Sequence, residues 1–273
     1  MVYRSLNKSI NMNLVPKIKS KLHQSGVRGV IASTLHVMAN RIDPGVINKN
    51  PQITQASEFL AWVRFAVPGM LGQGNIEAME YAVANMPQNN PILEIGSFCG
   101  LSTVVLSYLI DKRNLSTSIF TCDKWEFEGQ QLGALLGDSP SVTHDVYREY
   151  VKSTFLRSMY TFAANRLPYT IECFSDEFFR RWFEEEKAID VFARSVTLGG
   201  EFSFCYIDGN HTYEFAKRDF ENADRSLVRG GFILFDDSAD DSHWEVNQLT
   251  REIAAGNRYD LVSRNPNYLF CKK

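Results

Sequence analysis

Several kinds of segment are missing from this chain. No stretch approaches the roughly 18 consecutive apolar residues that a membrane span requires. Residues 1–22 lack the continuous apolar core of a secretory signal. No internal repeat or low-complexity tract is present either. We therefore expect a cytoplasmic protein without a membrane partner.

An excess of charge of one sign is also missing. Lys and Arg total 29 and Asp and Glu total 32, which leaves a net charge of −3. Such a chain lacks the basic surplus with which proteins attract nucleic-acid phosphates, so no nucleic-acid partner is expected.

The five cysteines show no CxxC spacing, and four of them lie in or at the end of apolar runs. Buried, reduced thiols are the interpretation that this pattern favours.

From residue 91 onward, short apolar runs alternate with amphipathic helical segments. Near-continuous apolarity in several runs is typical of strands buried on both faces of a parallel sheet. The alternation implies right-handed crossovers and a doubly wound α/β sheet. The predicted strands are 91–95, 118–123, 169–174, 202–208, 231–236, 259–263 and 267–272.

Two connections depart from that alternation. Only the three residues 264–266 separate the last two runs, which is too short for a crossover and predicts an antiparallel hairpin. The connection at 124–168 is unusually long and carries an amphipathic helix, which we interpret as a lid or an oligomer contact. The prediction is a Rossmann-like, seven-stranded, mostly parallel sheet with a C-terminal antiparallel hairpin. A helical extension at 1–67 would precede this domain at 68–273.

A glycine turn, EIGSFCGLST at 94–103, follows the first predicted strand. A doubly wound sheet binds its ligand at this point. A dinucleotide fingerprint would need glycine at the positions of Phe98 and Leu101. A glycine at position 98 would let a pyrophosphate approach the backbone. The turn therefore disfavours NAD and FAD and suits a nucleoside-like ligand without a diphosphate. Asp123, at the tip of the second strand, either holds two ribose hydroxyls or merely ends the strand.

An acidic group follows two later strands, in IDGNH at 207–211 and FDDS at 235–238. If these strands are neighbours, Asp208 and Asp236 lie at adjacent ends, and Asp237 joins them only if the chain turns there. Three carboxylates suit Mg²⁺, so we predict a metal site at Asp208, Asp236 and Asp237. Capping of a helix and a turn without any ion is the alternative.

His211 opens the helix after the fourth main strand. The positive end of the helix dipole would keep its ring neutral, so it could act as a general base toward a hydroxyl. A surface or capping histidine is the alternative.

A wider set of motifs resembles one family. PGMLGQGNIEAMEYAV, ILEIGSFCGLST, CDKW, ECFSDEFF and IDGNHTYEFAKRDFENADRSLVRGGFILFDDS together resemble class I S-adenosylmethionine (SAM) methyltransferases of the bacterial methyltransferase 24 type. These are relatives of the macrocin-type sugar O-methyltransferases, and the resemblance spans about residues 68–273. It implies that the methionine part of SAM lies at the glycine turn, the ribose at Asp123 and the adenine near Asp176. The implied SAM-binding set is Met70, Glu94, Gly96, Ser97, Gly100, Ser102, Asp123, Lys124, Ser175, Asp176 and Asp208.

The resemblance also implies a reaction. SAM would be the methyl donor for a hydroxyl of a sugar or secondary metabolite in natural product biosynthesis, with Asp208 and His211 as catalytic residues and Mg²⁺ assisting. An N-methyltransferase and a non-catalytic SAM-binding accessory protein of a biosynthetic complex are the alternatives. The extension and the insertion offer surface for a homo-oligomer. Four aromatic residues could line an apolar acceptor or belong to the core, namely Trp125, Phe127, Tyr147 and Trp244.

Overall fold

The computed structural model describes residues 57–87, 90–127 and 130–273. The predicted extension at 1–67 therefore falls largely outside the described residues. The described helices are α1 (Glu58–Ala66), α2 (Gln73–Asn85), α3 (Leu101–Lys112), α4 (His144–Phe162), α5 (Ser175–Phe183), α6 (Tyr213–Ser226) and α7 (Val246–Ala255), with a 3₁₀ turn at Ala164–Arg166. The strands are β1 (Ile92–Ile95), β2 (Ile119–Cys122), β3 (Tyr169–Ile171), β4 (Lys187–Ile189), β5 (Ser195–Thr197), β6 (Phe202–Ile207), β7 (Leu227–Phe235), β8 (Tyr259–Arg264) and β9 (Tyr268–Lys272).

Seven strands form one sheet in the order β3-β2-β1-β6-β7-β9-β8. The first four pairings along this order are parallel, and both pairings of β9 are antiparallel. The predicted doubly wound sheet and its C-terminal hairpin are thereby confirmed. One feature was not predicted, namely the insertion of β9 between β7 and β8. A separate hairpin of β4 and β5, each three residues long, was also missed because its strands lie in a charged stretch.

Each face of the sheet carries its own core, because successive strand residues point to opposite sides. Leu234 belongs to the core beneath α1 to α4, while Ile233 and Phe235 belong to the core beneath α5 to α7. The buried side chains of α4 include Val151 and Phe155. The long helix predicted within the insertion therefore serves as a core-packed crossover between β2 and β3. None of the described helices is long and apolar enough to cross a membrane.

Gly96, directly after β1, shows why the glycine turn needs glycine. Its φ is +83°, in the left-handed region, and a Cβ there would overlap the carbonyl oxygen of Asp208. A side chain would thus force β1 and β6 apart where they end. Gly133 has a similar φ of +73°, but a Cβ there would meet no atom within 4 Å.

Replacing Gly96 and Gly133 separates backbone strain from close packing. We expect Gly133→Ala to lose about 1 kcal/mol of unfolding free energy from the positive φ alone. Gly96→Ala adds an overlap with backbone and should lose at least about 2 kcal/mol more. Urea unfolding of both variants measures the difference. Equal losses would show that the approach of β1 to β6 is not tight.

Candidate active site

The ends of three neighbouring strands lie at one level. The amide of Asp208 donates to the carbonyl of Ile95 at 2.8 Å, and the amide of Asp236 donates to the carbonyl of Ile207 at 2.9 Å. These bonds continue the parallel ladder one residue beyond β1, β6 and β7. Asp237 has a φ of +50°, so the chain turns immediately after Asp236. The carboxylates of IDGNH and FDDS are therefore neighbours, as the sequence predicts.

Asp123 holds the glycine turn in place. One carboxylate oxygen accepts the amides of Ser97 (2.8 Å) and Phe98 (2.9 Å), and the other accepts the amide of Trp125 (2.6 Å). The indole N–H of Trp125 in turn donates to the carbonyl of Phe98 at 3.0 Å. Asp123 thus fixes the turn in addition to the ribose role predicted for it. Burial raises its pKa, and these amide hydrogen bonds partly offset the rise.

Glu94, predicted to lie beside the methionine part of SAM, is fully buried beneath the turn. Its Oε2 accepts the hydroxyl of Thr103 at 2.5 Å, and Oε1 has no hydrogen-bond partner. Burial raises the pKa of Glu94 to about 7, against the lowering effect of the nearby hydroxyls of Ser102 and Thr103. This carboxyl supports the turn from below.

A cavity of about 230 Å³ opens beside the strand ends. Its lining residues are Pro68, Gly69, Met70, Leu71, Ser97, Phe98, Leu101, Ser102, Asp208, His211, Asp236, Asp237 and Trp244. Seven predicted site residues line it, namely Met70, Ser97, Ser102, Asp208, His211, Asp236 and Asp237. The remaining predicted residues lie outside this lining: Glu94, Gly96, Gly100, Asp123, Lys124, Ser175 and Asp176.

The predicted adenine and ribose residues lie on other elements. Ser175 and Asp176 begin α5, and the carboxylate of Asp176 pairs with Arg218 at 3.0 Å. Lys124 follows Asp123 and lies 4.0 Å from the carboxylate of Glu126. Asp176 thus follows β3, and Asp123 and Lys124 follow β2, at the same carboxyl edge of the sheet.

Asp208, His211 and Asp237 converge on one point. Nε2 of His211 lies 3.0 Å from Oδ2 of Asp237 and 3.7 Å from Oδ1 of Asp208. Nε2 is buried yet makes no well-aligned hydrogen bond. One ligand atom from each of the three residues lies within 4.8 Å of the others. This spacing fits two carboxylates and an imidazole around a single divalent cation.

The charge state of His211 differs from the prediction. Burial lowers its pKa, but the close carboxylates of Asp208 and Asp237 outweigh burial and raise the pKa from 6.5 to about 10. The expectation of a neutral ring rests on the helix dipole and is wrong for this arrangement. The effect of two adjacent carboxylates on the pKa is larger than that of the partial charge at a helix end. Burial, and then the charge of Asp236, raise the pKa of Asp208 well above its usual range.

Asp236, predicted as a metal ligand, lies in a different network. Its Oδ1 accepts the side-chain amides of Asn75 and Asn267, each at 2.5 Å, and its Oδ2 accepts the hydroxyl of Tyr206 at 2.8 Å. That hydroxyl also lies 3.3 Å from Oδ2 of Asp208. Because these donors occupy both oxygens, His211 takes the place of Asp236 in the converging group. Sequence reasoning missed Asn75, Tyr206 and Asn267, which are polar residues within otherwise apolar faces.

Only one of the four aromatic residues proposed for the acceptor wall lines the cavity. Trp125 is 1% exposed and packs against Phe155. Phe127 and Tyr147 contact each other, with ring centroids 5.2 Å apart. Trp244 lines the cavity and stacks at a tilt on His211, with centroids 4.8 Å apart. The first three are therefore packing residues.

A family model described as a methyltransferase domain matches residues 93–238, more than half of the chain. The chain belongs to this family. It is a SAM-dependent methyltransferase, and the matched range includes the glycine turn, Asp123, Asp208 and His211. No functionally curated protein matches it significantly.

Several solved methyltransferases are similar to the chain at low sequence identity. The S-adenosylhomocysteine-bound methyltransferase PaMTH1 of Podospora anserina is 15% identical, with a TM-score of 0.50, covering 89% of this chain and 95% of that one. CalS11, a TDP-rhamnose 3′-O-methyltransferase of calicheamicin biosynthesis, is 16% identical, with a TM-score of 0.46 and coverages of 72% and 77%. An O-methyltransferase of Bacillus cereus is 18% identical, with a TM-score of 0.44 and coverages of 82% and 94%.

The network around Asp236 yields a stability prediction. Asn267→Ala removes an amide donor to half-buried Asp236 and the acceptor of the buried Ser238 amide, which lies at 2.9 Å. We expect a loss of about 1–3 kcal/mol in unfolding free energy, because buried polar groups lose their partners. Asn85→Ala is the control, since Asn85 is an exposed helix-end side chain whose one hydrogen bond within the described part of the chain is to the carbonyl of Tyr81. A loss for Asn267→Ala within about 0.5 kcal/mol of the control would contradict the network.

Proposed function

We propose that this methyltransferase transfers the methyl group of SAM to a hydroxyl oxygen of a small-molecule acceptor. The observation that carries the proposal is the convergence of Asp208, His211 and Asp237 within one cavity that the glycine turn also lines. SAM supplies a methyl group already activated on a sulfonium. The protein then has to align an oxygen nucleophile with that methyl and remove its proton.

We propose separate parts for the two halves of the site. The turn of Ser97 and Phe98 and the carboxylate of Asp123 hold the donor, while Asp208, His211 and Asp237 receive the acceptor. A carboxylate-rich wall suits the donor as well, because the sulfonium carries a positive charge. The same wall favours an acceptor that must lose a proton over one that is already nucleophilic, such as an unprotonated amine. Oxygen is therefore the preferred methylated atom.

We further propose that Asp208 and Asp237 bind a divalent cation and that His211 takes the acceptor proton. The charge of the cation would offset the two carboxylates that raise the pKa of His211, and the ring would then be neutral and able to act as a base. The buried and unaligned Nε2 of His211 supports a site that is completed by another group. The two carboxylate ligands suit Mg²⁺ or Mn²⁺. When bound, the cation supplies Lewis-acid stabilisation of an oxyanion. Asp236 then acts as the anchor that keeps Tyr206 and Asp208 in position.

Ligand binding tests the donor half. By calorimetry, S-adenosylhomocysteine should bind and NAD should not, because Phe98 and Leu101 replace the glycines that a diphosphate needs. Tight NAD binding without binding of S-adenosylhomocysteine would overturn the proposal.

Titration with Mn²⁺ tests the acceptor half without requiring a known acceptor. Asp237→Asn should weaken Mn²⁺ binding by at least about tenfold, because it removes a charged ligand. Asp241→Asn, an exposed carboxylate of the same loop outside the cavity lining, should leave the affinity unchanged. Equal effects of the two substitutions, or no Mn²⁺ binding to the unaltered protein, would remove the cation from the proposal.

His211→Ala distinguishes a base from a ligand. As the base, His211 should be dispensable for Mn²⁺ and S-adenosylhomocysteine binding, while methyl transfer falls by about 10²–10⁴-fold. A fall in Mn²⁺ affinity as large as that of Asp237→Asn would make His211 a ligand instead. An unchanged transfer rate would exclude both roles.

A further inference from the structure

The cavity wall has an unusual charge pattern. Asp208, Asp236 and Asp237 contribute three carboxylates, and His211 is the one basic side chain. Neither lysine nor arginine is found among the described residues that line it. A divalent cation would offset two of the three carboxylate charges. The acceptor half therefore has no surplus of positive charge with which to hold an anionic group.

Cations near this edge of the sheet are paired with other carboxylates. Beside the glycine turn, Lys152 and Arg148 pair with Glu172 at 2.7 and 3.0 Å. Beyond the acidic turn, Arg264 pairs with Asp240 at 2.8 Å, and Asp240 also accepts the hydroxyl of Tyr268 at 2.6 Å. These arginines and lysines already have partners, so their recruitment by a phosphate or carboxylate of an acceptor would break existing ion pairs.

The rest of the cavity lining is largely apolar. Pro68, Leu71 and Phe98 belong to it, together with Met70, which is 91% exposed. Trp244 is 38% exposed and presents an aromatic ring next to His211. An exposed methionine and tryptophan at the mouth of a cavity offer a flat apolar surface for a ligand.

We propose that the acceptor carries no negative charge and lays an apolar face against Trp244 while its hydroxyl points to Asp208 and His211. This inference rests on the proposed function and specifies its substrate class. An aromatic ring and the C–H face of a sugar both provide such an apolar face. An anionic acceptor would lie against Asp208, Asp236 and Asp237 with no lysine or arginine in the described lining to offset its charge, which selects against it.

Matched probes test the inference on the protein loaded with S-adenosylhomocysteine and Mn²⁺. Ethylcatechol, dopamine and hydrocaffeate share two adjacent ring hydroxyls and differ in the charge of the side chain. Methyl rhamnoside and TDP-rhamnose form a second set, in which only the second compound carries phosphates. By calorimetry, the uncharged or cationic members of at least one set should bind at least about tenfold more tightly than the anionic member.

Two results would overturn the inference. One is that the anionic member of either set binds as tightly as its uncharged counterpart. The other is that no uncharged or cationic member of either set binds. Binding of S-adenosylhomocysteine and Mn²⁺, measured in the same experiment, remains intact in both cases if the proposed function is correct, so the two failures are distinguishable.

Two pairs of variants assign the selectivity to named residues. Met70→Arg adds a cation at the exposed mouth and should reduce the discrimination against the anionic probes by at least about threefold, while Met70→Gln should not. Trp244→Ala should weaken the binding of all probes, and Trp244→Phe should keep most of the affinity because it keeps an aromatic face. Unchanged discrimination in Met70→Arg, or unchanged affinity in Trp244→Ala, would contradict the assignment.

Discussion

The hydrogen bonds that extend the parallel ladder one residue beyond β1, β6 and β7 are the constraint on which the site depends. They hold Gly96, Asp208 and Asp236 at one level at the carboxyl edge of the sheet. Only a glycine permits the first two to approach so closely, because any Cβ at 96 would overlap the backbone of Asp208. The donor turn and the acidic group are thereby joined at one backbone contact, before any side chain contributes to chemistry.

Much of the fold could be predicted because burial leaves a clear pattern in the sequence. Continuous apolar runs identified the seven main strands, and the short link after Arg264 required an antiparallel hairpin. The position of β9 between β7 and β8 could not be predicted, since strand order depends on contacts between distant residues. The helix at 144–162 was identified correctly, and the lid or oligomer contact expected of it stays a prediction. Its buried side chains, Val151 and Phe155 among them, show that it covers the sheet as a core crossover.

The site was less predictable because neighbours in sequence separate in space. The left-handed turn at Asp237 directs its carboxylate to His211 and leaves Asp236 to Asn75 and Asn267. No local pattern indicates which of two adjacent aspartates joins the group. The charge of His211 was equally inaccessible, since the balance between a helix end and two carboxylates depends on distances. The prediction that Asp208 and His211 belong to the methyl-acceptor half stays a proposal that the geometry supports.

The most direct test of the account is a crystal structure of the complex with S-adenosylhomocysteine. The account predicts that the sulfur of the ligand lies in the cavity between the Ser97 turn and the group of Asp208, His211 and Asp237. The ribose should then lie at Asp123 and the adenine toward the start of α5. A ligand bound away from this cavity, or one whose adenine lies against Asp208 and His211, would contradict the division of the site into donor and acceptor halves.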